Sequence, residues 1–472
     1  MSLLVHDATI VAVEADGRTS TLREQSFVVD GGRVTELGPA VSFDDRRRAG
    51  AFSETLPAAR HIVLPGLVNT HHHLYQSLTR CLPAAQNERL FRWLLRLYER
   101  WRHIDYRAVN LAAKISIAEL LLHGATTTND HFYMLPPGRD ARLEAVLDAA
   151  AELGLRLHLC RGSMTLGRSG GGLPPDDCVE RDADVLADCE RVIARYHDAS
   201  PYALRRIDLA PCSPFNVTPE LLRDSRALAR AHGVLLHTHL AETLDEEAFC
   251  RARFGRRPLE YLADHDWLGP DVYLAHCVHL RDDEIARLAA TNTGVSVCPT
   301  SNLRLGSGLP PIARLRAAGV RVGLGVDGAS SNDGGNPLAA AKQALLVARL
   351  GAALERPAGP AAPDADSDAL FPVSAALHLA TRGGAACLRR PELGWLGPGA
   401  AADFALFRMD DVALAGAAVQ DPGAALVLCD GPRAAQVFVA GHPVVRDGRV
   451  TALDETALGR EFNDLVAARF AT

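Results

Sequence analysis

Lysine is almost missing from this chain. Only Lys114 and Lys342 occur in 472 residues, so nearly all positive charge is arginine. The formal net charge is −7 and no basic run is present, which argues against non-specific nucleic-acid binding. Aromatic residues are sparse at 6%, and that points the same way. The ten cysteines include no C-x-x-C pair, so zinc ribbons, zinc fingers and a disulfide framework are excluded. Reduced thiols in a cytoplasmic protein are the expectation. No stretch approaches about 20 uninterrupted apolar residues, so no membrane span is expected. The opening MSLLVHDATIVAVEADG has no positive segment followed by an apolar block, so no signal peptide is expected either.

What the chain does have is core-forming material. Hydrophobic residues make up 48% and charged residues 23%, the balance of a globular protein able to bury a large core. Residues 1–60 hold β-branched clusters around Gly31-Gly32, and residues 400–472 have the same texture in AADFALFR and AAQVFVAGHPVVRDGRV. Both ends suit one small β-sandwich built from the two termini. Between them, residues 61–399 alternate short apolar runs with helical stretches, the pattern of repeated βα units. Eight strands are expected, at 61–68, 124–130, 155–160, 206–211, 234–239, 272–276, 294–299 and 321–327. Eight suggests an α/β chain closed as a (β/α)₈ TIM-type barrel, with an open α/β sheet as the alternative. GSMTLGRSGGGLPPDD (162–177) reads as a long loop after the third strand. ERPAGPAAPDADSDA (355–369) reads as a surface connection.

The unusual polar residues fall at strand ends. LPGLVNTHHHLYQ places His71 and His73 on one face and His72 on the other, because strand side chains alternate. His239 and Glu242 follow the fifth strand in HTHLAET, His276 ends the sixth in LAHC, and Asp327 ends the eighth in GVDGASSND. In a closed barrel these ends share one opening, where active sites lie. The H-x-H pair with a further histidine and an aspartate forms a cage suited to Zn²⁺ or Fe²⁺. Spacing alone does not choose between His237 and His239. His131, after the second strand, is either a pocket wall or a structural residue.

PGLVNTHHH, HTHLAE, AHC and DGASSND, in this order, resemble the amidohydrolase superfamily, in its aminohydrolase branch. The resemblance extends over nearly the whole chain, including ATRGGAACLRRPELGWLGPGAAADF. It implies that His71, His73, His239 and Asp327 bind one divalent metal ion, with Glu242 and His276 as acid/base and orienting groups. Binuclear relatives use a modified lysine at the end of the fourth strand. Here that end reads IDLAPCSPF, so a mononuclear site follows.

The chemistry expected is hydrolytic deamination of an aminated N-heterocycle. Water activated by the metal attacks the amino-bearing ring carbon. Glu242 carries a proton to the ring nitrogen, Asp327 accepts a proton and hands it to departing ammonia, and His276 orients the nucleophile. Gln76, at the offset where guanine deaminases carry a glutamine that reads the purine edge, is the expected substrate-binding residue. RGSMTLGRSGGGLPPD, LAPCSPF and CPTSNLRLGSG are most similar to 8-oxoguanine deaminases, which form urate and in some cases also take guanine or isocytosine. The same stretches are similar to s-triazine hydrolases, which gives an amino- or chlorohydrolase as the alternative. A catalytically inactive scaffold of the same fold is the third reading, opposed by retention of the whole residue set. The partner expected is a small heterocyclic substrate, with a homo-oligomer as the assembly.

Overall fold

The computed structural model describes residues 2–355 and 370–471. The expected surface connection at 355–369 therefore lies outside the described residues, apart from Glu355 at the end of a helix.

Eight parallel strands close into a barrel: Leu67–Asn69, Ala125–Phe132, Arg156–Ser163, Arg205–Pro211, Leu236–Leu240, Val272–His276, Gly294–Val297 and Arg321–Leu324. Closure is made where Leu324 of the last strand pairs with Asn69 of the first. Each strand lies within the stretch expected from the sequence or within a few residues of it, because short β-branched runs between helical repeats leave little freedom of register.

The first stretch needs correction. HIVLPGLV, expected to open the barrel as one strand from residue 61, is two strands. His61–Pro65 pairs with Leu3–Val13 and with Phe404–Arg408 in the sheet of the termini. The barrel begins only at Leu67, which pairs with Ala125. The step between them is Gly66. A Cβ there would lie 2.1 Å from the Thr126 hydroxyl, so only a residue without a side chain lets the chain cross over.

The sheet of the termini has nine strands and curls over its own core. Phe27 and Phe404 sit on strands separated by two others, which a flat sheet would hold about 14 Å apart. Their rings instead meet edge to face at 5.1 Å. The far edge returns as well. The Val34 amide donates to the Ala400 carbonyl and the Gly399 amide to the Val34 carbonyl, both at 2.9 Å.

Among the described residues one helix, Pro337–Glu355, is long and apolar enough by length and composition to cross a membrane. The sequence reading passed over it because Lys342, Gln343 and Arg349 interrupt its run of alanines and leucines. Leu338, Ala341, Ala344, Leu345 and Ala348 are buried within the molecule.

A buried ion pair ties the sheet to the barrel. Arg156, at the base of the third barrel strand, makes a two-pronged contact with Asp403 at 3.0 Å on each prong. Its remaining donors reach the carbonyls of Tyr202 and Ala203, while Asp403 also accepts from the Ala440 amide. Removing one partner leaves the other charge buried and unpaired. Asp403→Ala is expected to lower stability by about 3–5 kcal/mol, seen in the chemical-denaturation midpoint. Replacing both residues with apolar ones of similar volume is expected to cost far less.

Candidate metal centre and active-site pocket

The strand ends deliver their polar side chains to one pocket. His73, His239, Glu242, His276, Asp327 and Gln76 all line it. His71 lies directly behind, its Nε2 3.5 Å from Asp327 Oδ1, while His73 Nε2 is 3.4 Å from the same oxygen.

Backbone carbonyls decide where each imidazole carries its proton. A carbonyl only accepts, so a ring nitrogen bonded to one must be the N–H. His73 Nδ1 donates to the His131 carbonyl at 2.6 Å, and His239 Nδ1 donates to the Cys212 carbonyl at 2.6 Å. His237 Nδ1 donates to the Tyr273 carbonyl at 2.7 Å, leaving its Nε2 to accept from His71 Nδ1 at 2.8 Å. His71, His73 and His239 thus all present Nε2 as a bare lone pair. His73 Nε2 and His239 Nε2 face each other at 3.1 Å with no proton to share. Burial, followed by the neighbouring imidazoles, pushes the His71 and His239 rings well below their ordinary pKa, so protonation does not relieve the crowding. Two lone pairs and a carboxylate at this spacing suit a cation, and a set of three imidazoles and one carboxylate fits Zn²⁺ or Fe²⁺.

The two histidines of HTH take different places. His239 faces the pocket, and His237 stands behind His71, fixing its tautomer as outer-shell partners of ligating histidines do. His131 is not a pocket wall. Its ring stacks on His239 at 4.6 Å, its Nε2 donates to the Ala210 carbonyl at 3.0 Å, and its own carbonyl holds His73. His72 points away, as alternation requires, and both its ring nitrogens are buried without partners.

Two carboxyls in the pocket are pushed in opposite directions. Burial alone would raise Asp327, but His276 and His73 outweigh it and hold the group at about 2. The Asp327 carboxylate also accepts from the Gly328 amide at 2.7 Å and from the Ser331 hydroxyl at 3.1 Å. Glu242 is raised well above the carboxylate range by burial, then by the nearby Asp327 and Glu246 charges. Such a split assigns one group to hold a proton and the other to take one. The Asn302 amide donates to His276 Nδ1 at 3.1 Å, leaving His276 Nε2 as a donor, 3.6 Å from Glu242 Oε2. His276 and Asp327 both take left-handed backbone angles, φ 69° and 64°, costly for non-glycine residues and frequent at functional sites.

A model of the amidohydrolase family matches residues 62–444. The chain belongs to the amidohydrolase family. An 8-oxoguanine deaminase of Pseudomonas aeruginosa is 47% identical over 432 residues, covering 92% of each chain. A hydroxydechloroatrazine ethylaminohydrolase of Pseudomonas sp. strain ADP is 40% identical over 401 residues, covering 84% of this chain and 80% of that one. Among solved structures, an atrazine chlorohydrolase from Arthrobacter aurescens complexed with zinc superposes with a TM-score of 0.89 at 32% identity. That superposition covers 98% of this amidohydrolase and 100% of the other. Amidohydrolases are metal-dependent, in keeping with the donor set described above. Both lysines lie on helices, paired with Glu152 at 2.7 Å and Asp430 at 3.1 Å, and neither reaches the pocket.

Sequence reasoning did not single out Glu246, Asn302 or Ser331. Glu246 is fully buried, and its two oxygens accept from the Ala241 and Glu242 amides at 2.9 Å each. Its signal was legible, since Thr243-Leu-Asp-Glu246 is a helix capping-box pattern. Asn302 and Ser331 belong to helical and loop segments whose spacing gives no such cue. Glu246→Ala strands two buried amides and is expected to lower stability by about 2–5 kcal/mol in denaturation midpoints. Glu246→Gln, which keeps one acceptor, is expected to lose less than half as much.

Proposed function

We propose that this chain is a metal-dependent hydrolytic deaminase of an aminated N-heterocycle, with 8-oxoguanine as substrate and urate and ammonia as products. The observation that carries the reading is the convergence of three imidazole lone pairs and Asp327 beside a buried carboxyl, Glu242. In this reading His71, His73, His239 and Asp327 hold one divalent ion, zinc or iron(II). Once bound, that ion supplies Lewis acidity, which lowers the pKa of water from 15.7 towards about 7.

The chain's own residues then handle the protons. Glu242 delivers its proton to the ring nitrogen beside the amino-bearing carbon as the ring loses aromaticity, and takes one back from the added hydroxyl as the C–N bond breaks and the carbonyl forms. Asp327, ionised, accepts a proton from the attacking water and returns it to the leaving amine. His276 Nε2–H donates to the charge that develops on oxygen. Gln76, 1% exposed and with Oε1 unpartnered, reads the heterocycle's edge. The choice of 8-oxoguanine rests on the 47% identical relative from Pseudomonas aeruginosa. An aminated s-triazine is the second reading, supported by the ethylaminohydrolase relative and the chlorohydrolase structure.

Glu242→Gln is expected to retain metal and lose at least 99% of turnover; near-normal ammonia release would remove Glu242 from the mechanism. His71→Ala is expected to purify with metal depleted, as measured by elemental mass spectrometry. An ammonia-release screen across 8-oxoguanine, guanine, isocytosine and aminated hydroxytriazines decides the substrate. A higher kcat/KM on the triazine would replace 8-oxoguanine while leaving the residue roles intact.

A further inference from the structure

A second recess lies at the other end of the barrel. Pro270 and Arg321, which line it, stand at or just before the start of the sixth and eighth strands, whose far ends lead to His276 and Asp327. Five arginines line the recess, Arg316, Arg321, Arg382, Arg389 and Arg390, and among the described residues no carboxylate does. Arg390 is paired with Glu392. The other four make no ion pair among the described residues and meet only neutral groups. Arg321 donates from Nη1 to the Ala386 carbonyl at 2.8 Å and from Nη2 to the Pro270 and Asn292 carbonyls at 3.0 and 2.5 Å. Arg389 Nη1 donates to the same Pro270 carbonyl at 3.2 Å. Arg382 Nε donates to the Val13 carbonyl at 2.6 Å, and its guanidinium lies 5.0 Å over the Trp395 ring. Arg316 only packs over the Phe371 ring, at 5.5 Å. Carbonyls and rings hold these groups in place without cancelling their charge. Burial pushes Arg316, Arg321 and Arg382 below their ordinary pKa. Glu14 opposes the shift at Arg382, and Cys387 and Asp271 oppose it at Arg321, but all are outweighed.

We propose that this recess binds a small multivalent oxyanion of the di- or triphosphate kind, at a site separate from the catalytic pocket. Four guanidinium charges gathered in one recess repel each other, in a chain whose net charge is −7, and a bound anion relieves that repulsion. A monovalent anion offsets little of it, whereas a triphosphate, ionised along its length near neutral pH, answers several of the four at once. Phosphoryl oxygens accept from more than one donor each, which suits the planar fork of arginine. Arg316, Arg382 and Arg389 keep N–H groups unused by the protein and supply the direct contacts. Arg321, with both amino groups committed to carbonyls, supplies charge and a fixed wall. The ligand would bridge the base of the barrel and Arg382, which is anchored to the Val13 carbonyl in the sheet of the termini. Binding to the folded chain alone raises its apparent stability by mass action.

The test is isothermal titration calorimetry of the metal-loaded full-length protein with inorganic triphosphate, against sulfate at equal ionic strength. Triphosphate is expected to bind one to one, more tightly than sulfate, and to weaken as salt rises. Arg316→Gln and Arg382→Gln are each expected to weaken it about tenfold, the loss of one charge-assisted contact. Equal binding in wild type and both variants would overturn the assignment, and it is also what withdrawal of the metal by triphosphate would give. Triphosphate no tighter than sulfate on wild type would overturn it too. A short oligonucleotide that binds more tightly than triphosphate would replace the small ligand with a nucleic acid. Arg316 makes no hydrogen bond among the described residues, so Arg316→Gln is expected to keep the unliganded melting temperature of wild type and decides the matter if Arg382→Gln fails to fold. The deaminase reading stands or falls separately, on the ammonia-release screen.

Discussion

Everything in the pocket depends on which nitrogen of each imidazole carries its proton, and main-chain carbonyls make that choice. The carbonyls of His131, Cys212 and Tyr273 belong to the second strand, the end of the fourth and the sixth strand of the barrel. Their directions are set by the parallel ladder, not by side-chain packing. A neutral imidazole held this way has its other nitrogen free and aimed, with little rotation left to lose on binding. The barrel thus acts as a jig: its ladder orients three rings before any ligand arrives. His237 extends the same logic one residue deeper, relaying the Tyr273 carbonyl's constraint to His71.

The two pocket carboxyls illustrate how environment divides labour between like groups. Asp327 sits among imidazoles and accepts from an amide and a hydroxyl, so its charge is supported from several sides. Glu242 has only the Ser307 hydroxyl to set against burial and two neighbouring carboxyls, and the balance pushes its pKa well above the carboxylate range. Glu246 contributes twice, fixing the Glu242 backbone through two amides and adding to the field that keeps Glu242 neutral. One buried residue therefore serves both placement and protonation.

Much of this was legible in the sequence, and the reasons are specific. The strands could be read because apolar β-branched runs recur between helical repeats, and the pocket-lining residues because polar side chains at strand ends are unusual. HTH could not be resolved, since His237 and His239 share a face and differ only in depth along the strand. The role of His131 was hidden because its carbonyl, not its ring, supports the centre, and backbone roles leave no trace in residue type. HIVLPGLV was misread as one strand because both halves are apolar; only contact with Thr126 marks Gly66 as a crossing point.

The crossing at Gly66 has a consequence for how the molecule is made. The strand that leads into His71 and His73 emerges early from a ribosome, yet its upstream half pairs with Phe404–Arg408 and its downstream half with Leu324. Until those distant segments are synthesised, each half of the stretch has only one of its two neighbours, Leu3–Val13 for the first and Ala125–Phe132 for the second. Assembly of the centre is thus a late event in the life of a nascent chain, because the barrel cannot close around it until Leu324 has been made to pair with Asn69.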